Sequence, residues 1–242
     1  MIESAALAAI AFLGALIFGI TGFGAALVTI PLATHLVSLK FALALFVVVD
    51  LAAALMVGFE NPKNAVRAEW TRLVPMIVVG TALGVTLLVN LPRATGMLLL
   101  GLFIIAFAIF TLSPHGRARI VRPAWAWMAG LGGGITSTLF GAGGPPYAIY
   151  LAQRGLTKEQ FRATLGFATL TSISLRLVAF LITGLLLDRE VWLTAMAAVP
   201  ACLLGIWIAR RIFLRISRDV LMRAVAVLLL FSGASLISRA VL

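Results

Sequence analysis

Two uncharged stretches of this chain have lengths that fit neither one membrane crossing nor two. Ser4 to Leu39 covers 36 residues and Pro123 to Gln153 covers 31, counting His35 as neutral. A straight helix of either length would be about 46–54 Å long at about 1.5 Å per residue, against a bilayer core of about 30 Å. Each is also too short for two complete spans and a turn. Glycine interrupts both in the middle, as Gly19-Ile20-Thr21-Gly22-Phe23-Gly24 and as Gly141-Ala142-Gly143-Gly144-Pro145-Pro146. Glycine is a poor helix former, and prolines just after a break suit the first turn of a new helix. Each stretch therefore reads as a re-entrant hairpin, two half-helices that dip in and return to the same face.

The rest of the chain supports a membrane setting. Of the 242 residues 62% are hydrophobic and only 11% charged. A soluble domain of this size needs a more polar shell, and the short alternating segments of an outer-membrane barrel are absent from the sequence. Further apolar segments lie at 41–59, 73–92, 94–114, 160–187, 191–210 and 219–240, each near the length of one crossing. The expected fold is thus an all-α polytopic membrane protein. The N-terminus has Glu3 and no basic run, so no cleavable signal peptide is expected.

The two halves repeat. Gly22-Phe23-Gly24 matches Gly141-Ala142-Gly143 at an offset of 119, and Val74-Pro75 with Gly80 matches Val199-Pro200 with Gly205 at 125. The units are 1–120 and 121–242, each a broken hairpin (4–39, 123–153) followed by three helices. With both hairpins re-entrant, Lys40, Arg93, Arg189 and Arg239 share one side, Arg176 lies in a span, and the other 14 of the 19 basic residues share the opposite side. If all eight segments crossed, the split would be 10 against 8. The positive-inside rule selects the hairpins, with the basic loops cytoplasmic and both termini outside. A hairpin plus three spans crosses an odd number of times, so the second unit inserts upside down as an inverted repeat.

Broken backbone at membrane depth is costly unless it lines a cavity or is buried in protein. The expected substrate site therefore gathers Thr21, Gly22 and Gly24 from the first break with Ser137, Thr138, Gly143, Gly144 and Tyr147 from the second, Tyr150 lying close by. The second arm of each hairpin points the positive end of its dipole at the break, a setting for an anion. Arg176 lies deep in the 160–187 segment, where a charge costs a few kcal/mol or more. Two roles fit it: a directed contact to an anionic group, or an ion pair with Asp50, the acid deep in the 41–59 segment. Asp50 accordingly reads as a proton-coupling group or as that pair's carboxylate. Gly80/Gly84 and Gly130/Gly134 read as packing seams, and His35 as a surface residue.

Nothing in the sequence points to an enzyme, a cofactor, a metal or nucleic acid. There is one cysteine, and neither a paired His/Cys set nor a phosphate-cradling glycine loop. The expected partners are a small anionic substrate and the lipid bilayer, with homo-oligomerisation left open. A passive anion channel is the alternative reading, and an intramembrane enzyme a weaker one.

The chain resembles the TauE/SafE (TSUP) family of sulfite and sulfonate transporters. The resemblance rests on Gly141-Ala142-Gly143-Gly144-Pro145-Pro146-Tyr147, then Tyr150 to Gly155, then Phe161-Arg162-Ala163-Thr164, and covers essentially the whole chain. The first break, Gly22-Phe23-Gly24-Ala25-Ala26, has alanines where the family is richer in glycine. The resemblance implies a secondary transporter in the cytoplasmic membrane for small sulfur-containing or organic anions such as sulfite, sulfoacetate or other sulfonates.

Overall fold

The computed structural model describes residues 2–21, 25–58, 62–113, 121–212 and 218–241. The described residues form ten α-helices, a short 3-10 turn at Pro62–Asn64, and no strand. The first five are α1 (Ile2–Thr21), α2 (Ala25–Ala33), α3 (Leu39–Gly58), α4 (Arg67–Asn90) and α5 (Arg93–Leu112). The second five are α6 (Trp125–Phe140), α7 (Gly144–Ala152), α8 (Lys158–Ile182), α9 (Arg189–Ile212) and α10 (Arg218–Val241). Five of these helices are long and apolar enough to cross a membrane: within α3, α4, α5, α8 and α9. This is an all-α polytopic membrane fold.

Helix packing follows one pattern in both sets of five. The most extensive contacts are α4 on α6, α1 on α9 and α5 on α10, while α3 packs on α8 in the middle. Exchanging the first set for the second turns α4·α6 into α9·α1 and maps α5·α10 and α3·α8 onto themselves. Small residues make the close contacts. A Cβ added to Gly134 would lie 3.0 Å from the Gly80 carbonyl carbon, and one on Gly84 3.1 Å from the Ile135 oxygen. The two expected seams thus face each other. The same holds for Gly205 against Phe12 and Ala15, and for Gly101 against Gly233. With little hydrophobic force between helices in lipid, such close backbone approach is what holds them. The outward faces are apolar: Val78, Val79, Leu83 and Leu87 of α4 are exposed, while Leu73, Ile77, Gly80, Thr81, Gly84 and Leu88 are buried.

Hydrogen bonds fix which helix ends share a face. The Val121 N–H donates to the Gln153 carbonyl at 3.2 Å, so the chain leaves the α6–α7 hairpin beside the point where it enters. The Val66 N–H donates to Thr164 Oγ1 at 2.9 Å, placing the starts of α4 and α8 together. At the far end, Lys40 Nζ donates to the Val89 carbonyl at 3.1 Å, placing the start of α3 beside the end of α4. Helices α3 and α8 consequently run antiparallel. The hairpin arms are unequal: α1 is about 30 Å long and α2 about 13 Å, so only the second arm has the length of a half-helix.

Helix α4 begins at Arg67, six residues before the uncharged segment that announces it in the sequence. Glu69 sits in its first turn, where the helix dipole favours an acid, and basic partners described below neutralise it. Helix α8 starts on a capping box: the Gln160 N–H donates to Thr157 Oγ1 at 3.2 Å and the Thr157 N–H to Gln160 Oε1 at 3.1 Å.

Candidate functional site

The second glycine break is built around one left-handed residue. Gly141 ends α6 with φ +72°, and its N–H donates to the Ser137 carbonyl at 2.9 Å. A side chain in this conformation is strained, which is why glycine is needed at the cap. Helix α7 then starts at Gly144 with Pro145 and Pro146 in its first turn. The prolines carry no N–H, so the positive end of this short helix presents the backbone donors of Gly143 and Gly144 and little else.

A small cavity of about 30 Å³ lies at this break, room for a water or two. Asp50, Ser137, Gly143, Gly144, Tyr147, Thr169 and Ser172 give it its polar lining, with Phe18, Ala25, Ala26 and Ile173 as apolar walls. Helices α1, α2, α3, α6, α7 and α8 all contribute, so the cavity lies between the two sets of five. Tyr147 is fully buried, and its hydroxyl donates to Ser172 Oγ at 3.0 Å. Its ring fits because residue 133 is glycine: a Cβ there would overlap the ring carbons.

Arg176 and Asp50 meet at the edge of this cavity. Arg176 Nη2 donates to Asp50 Oδ2 at 2.8 Å, and Nη1 donates to the Ser137 carbonyl at 2.8 Å. The Arg176 side chain is 0% exposed and that of Asp50 12%. Asp50 lines the cavity and Arg176 stands behind it. Among the described residues, Arg176 Nε is buried without a partner, as is Thr169 Oγ1, which lines the cavity. Buried polar atoms of this kind need an explanation, and a ligand is one.

The expected residues divide on this geometry. Ser137, Gly143, Gly144, Tyr147 and Asp50 come together at the cavity. Thr138 turns away, donating to the Gly134 carbonyl at 2.9 Å and packing where Gly84 approaches. Thr21 ends α1, and Gly22 and Gly24 lie outside the described residues. Tyr150 belongs to a different cluster, around Glu69. Sequence reasoning missed Thr169 and Ser172. The available signal was their spacing: 169, 172, 173 and 176 recur at helical intervals and share one face of α8.

Residues 7–236 match the family described as sulfite exporter TauE/SafE. The chain belongs to that family. A TauE/SafE chain is a membrane transporter and not an enzyme. One curated relative is the "Probable inner membrane transporter protein TsaS" of Comamonas testosteroni, 28% identical over 197 residues, which cover 79% of this chain and 81% of that protein. No solved structure matches the chain significantly. The TauE/SafE match runs through both glycine breaks, so the cavity at the second break lies within the shared part of the chain. Among the described residues, no group of three or more His, Cys, Asp or Glu could hold a metal ion.

Proposed function

We propose that this transporter is a secondary active carrier of small sulfur-containing or organic anions, of the class of sulfite, sulfoacetate and other sulfonates. It works by alternating access between two inverted repeats, 1–120 and 121–242. The observation that carries the reading is the cavity at the second break, where a helix start, four hydroxyls and an Asp50–Arg176 pair converge between the halves. The packing that maps onto itself when the halves are exchanged, and the antiparallel run of α3 and α8, support the inverted relation. The 14-against-4 division of basic residues supports cytoplasmic basic loops in an inner membrane.

The ion pair supplies a coupling scheme. With Asp50 ionised, Arg176 is neutralised and an arriving anion gains nothing from it. A proton on Asp50 releases the guanidinium, whose planar fork suits a sulfonate or carboxylate bidentately. One proton then accompanies one anion. The donors of Ser137, Thr169, Ser172 and Gly144 complete the coordination of a tetrahedral head group. A cavity of about 30 Å³ widens when such an anion enters, which ties occupancy to movement of the surrounding helices.

Proteoliposomes test the proposal. Sulfite and sulfoacetate are expected to accumulate above their external concentration when a pH gradient is imposed, and Asp50→Asn to abolish the pH dependence. Equilibration without accumulation would identify a channel. Accumulation of carboxylates alone would remove the sulfur oxyanions as the substrate class.

A further inference from the structure

A second ionic cluster lies away from the central cavity. Glu69 is nearly buried, its side chain 7% exposed. Its Oε1 accepts from Arg72 Nη1 at 2.8 Å and from Arg154 Nη2 at 3.0 Å, and its Oε2 accepts from the Tyr150 hydroxyl. Arg154 Nη1 donates to the Val121 carbonyl at 2.5 Å. Hydrogen bonding to Glu69 raises the Arg154 guanidinium above its ordinary pKa, so it stays charged. The cluster joins α4, from the first half, to the end of the α6–α7 hairpin, from the second.

Its position relative to the cavities gives it a role. Tyr147 lines the central cavity, and Tyr150 lies three residues further along α7, about 4.5 Å nearer the face where the hairpin returns. Leaving the cavity toward that face along α7 means passing the Glu69 cluster. On the opposite side, about 28 Å further along α4, a larger cavity of about 270 Å³ is lined by Ser38, Lys40, Leu88, Pro92 and Gly96, and at its inner end by Leu139 and Phe140. Leu139 and Phe140 line the large cavity and directly precede Gly141, which lines the central one, and Phe140 stacks on Phe103 at 5.1 Å. Among the described residues the ionic cluster occurs on one face only: in the Pro75/Pro200 register, the position of Glu69 is taken in α9 by Thr194, also buried.

We propose that Glu69, Tyr150 and Arg154 form the latch of a gate on the hairpin's face, the one assigned above to the cytoplasm, and that this structure shows that gate closed. The inference rests on the carrier reading above. Opening requires Glu69 to part from Arg154 and Tyr150, freeing the start of α4 from the end of the hairpin. The opposite barrier, Leu139 and Phe140 packed on Phe103, is apolar and gives way by side-chain rotation.

Thiol accessibility tests the latch without any substrate, so its outcome is independent of the uptake experiment. Cys202 is the only cysteine and is 2% exposed, and Ala142→Cys places a reporter in the central cavity. With membrane-impermeant maleimide applied to vesicles of each orientation, Glu69→Gln is expected to raise labelling from the cytoplasmic face about tenfold and leave labelling from the other face unchanged. Tyr150→Phe, which keeps the ring and loses one hydrogen bond, is expected to give a smaller rise on the same face. Unchanged labelling in both variants overturns the proposal. So does a rise from both faces together with labelling of Cys202, which would mark general loosening.

Discussion

The Asp50–Arg176 pair allows a quantitative test of how charge is held inside this bundle. Arg176 is 0% exposed, and its polar contacts among the described residues are Asp50 Oδ2 and the Ser137 carbonyl, each at 2.8 Å. Asp50→Ala leaves a guanidinium that cannot lose its charge, with one carbonyl to satisfy it. Breaking a buried pair in this way costs about 3–5 kcal/mol. For a chain of this size that corresponds to a fall in Tm of about 6–20 °C. Arg176→Met keeps the length of the stem and orphans the carboxylate instead. Asp50 borders the cavity and can shed its charge by taking up a proton, so this variant is expected to lose less. The double variant removes both charges and is expected to lie within about 1–2 kcal/mol of the parent, because an apolar replacement for a buried pair is often close to neutral. The assay is thermal unfolding of detergent-purified protein, followed by a thiol-reactive dye that labels Cys202 as it becomes exposed. Additive losses in the double variant would refute the reasoning, since they would mean that the two side chains act independently.

Two further substitutions probe the break itself. Gly141→Ala forces a side chain into the left-handed region at φ +72°, with its Cβ 2.9 Å from the Ala26 Cβ and 3.1 Å from Arg176 Nη1. A loss of about 1–2 kcal/mol from the backbone alone is expected in the same thermal assay, with uptake reduced; full stability and activity would show that the cap tolerates other conformations. Thr169→Val removes a buried hydroxyl that has no partner among the described residues. Stability is expected to hold or rise, while half-saturation for substrate weakens about 2–10-fold, the worth of one hydrogen bond; unchanged half-saturation would remove Thr169 from the site.

The chain's own order of residues determined much of this protein. The apolar content and the spacing of charges decide for a helical membrane fold, because lipid leaves a spanning backbone no other partner than itself. The glycine and proline run at 141–146 fixes a break between α6 and α7, because those residues set the backbone torsions locally. Arg176 and Asp50 stood out for the same kind of reason: a charge in an apolar segment must have a local explanation wherever the chain folds. What the sequence left open was which partner each would meet. Arg176 read as a contact to an anionic group or as the partner of Asp50, and only the antiparallel packing of α3 on α8 brings Asp50 to 2.8 Å of it. Thr138 and Ser137 are neighbours of similar chemistry, yet one packs toward α4 and the other lines the cavity, a difference decided by about 100° of helix rotation. Glu69 went unnoticed because it lies in an ordinary charged run, with Arg67 and Arg72 beside it. Only the tertiary fold buries it, by laying the end of the α6–α7 hairpin across the start of α4, and burial turns a surface acid into the centre of a four-residue cluster.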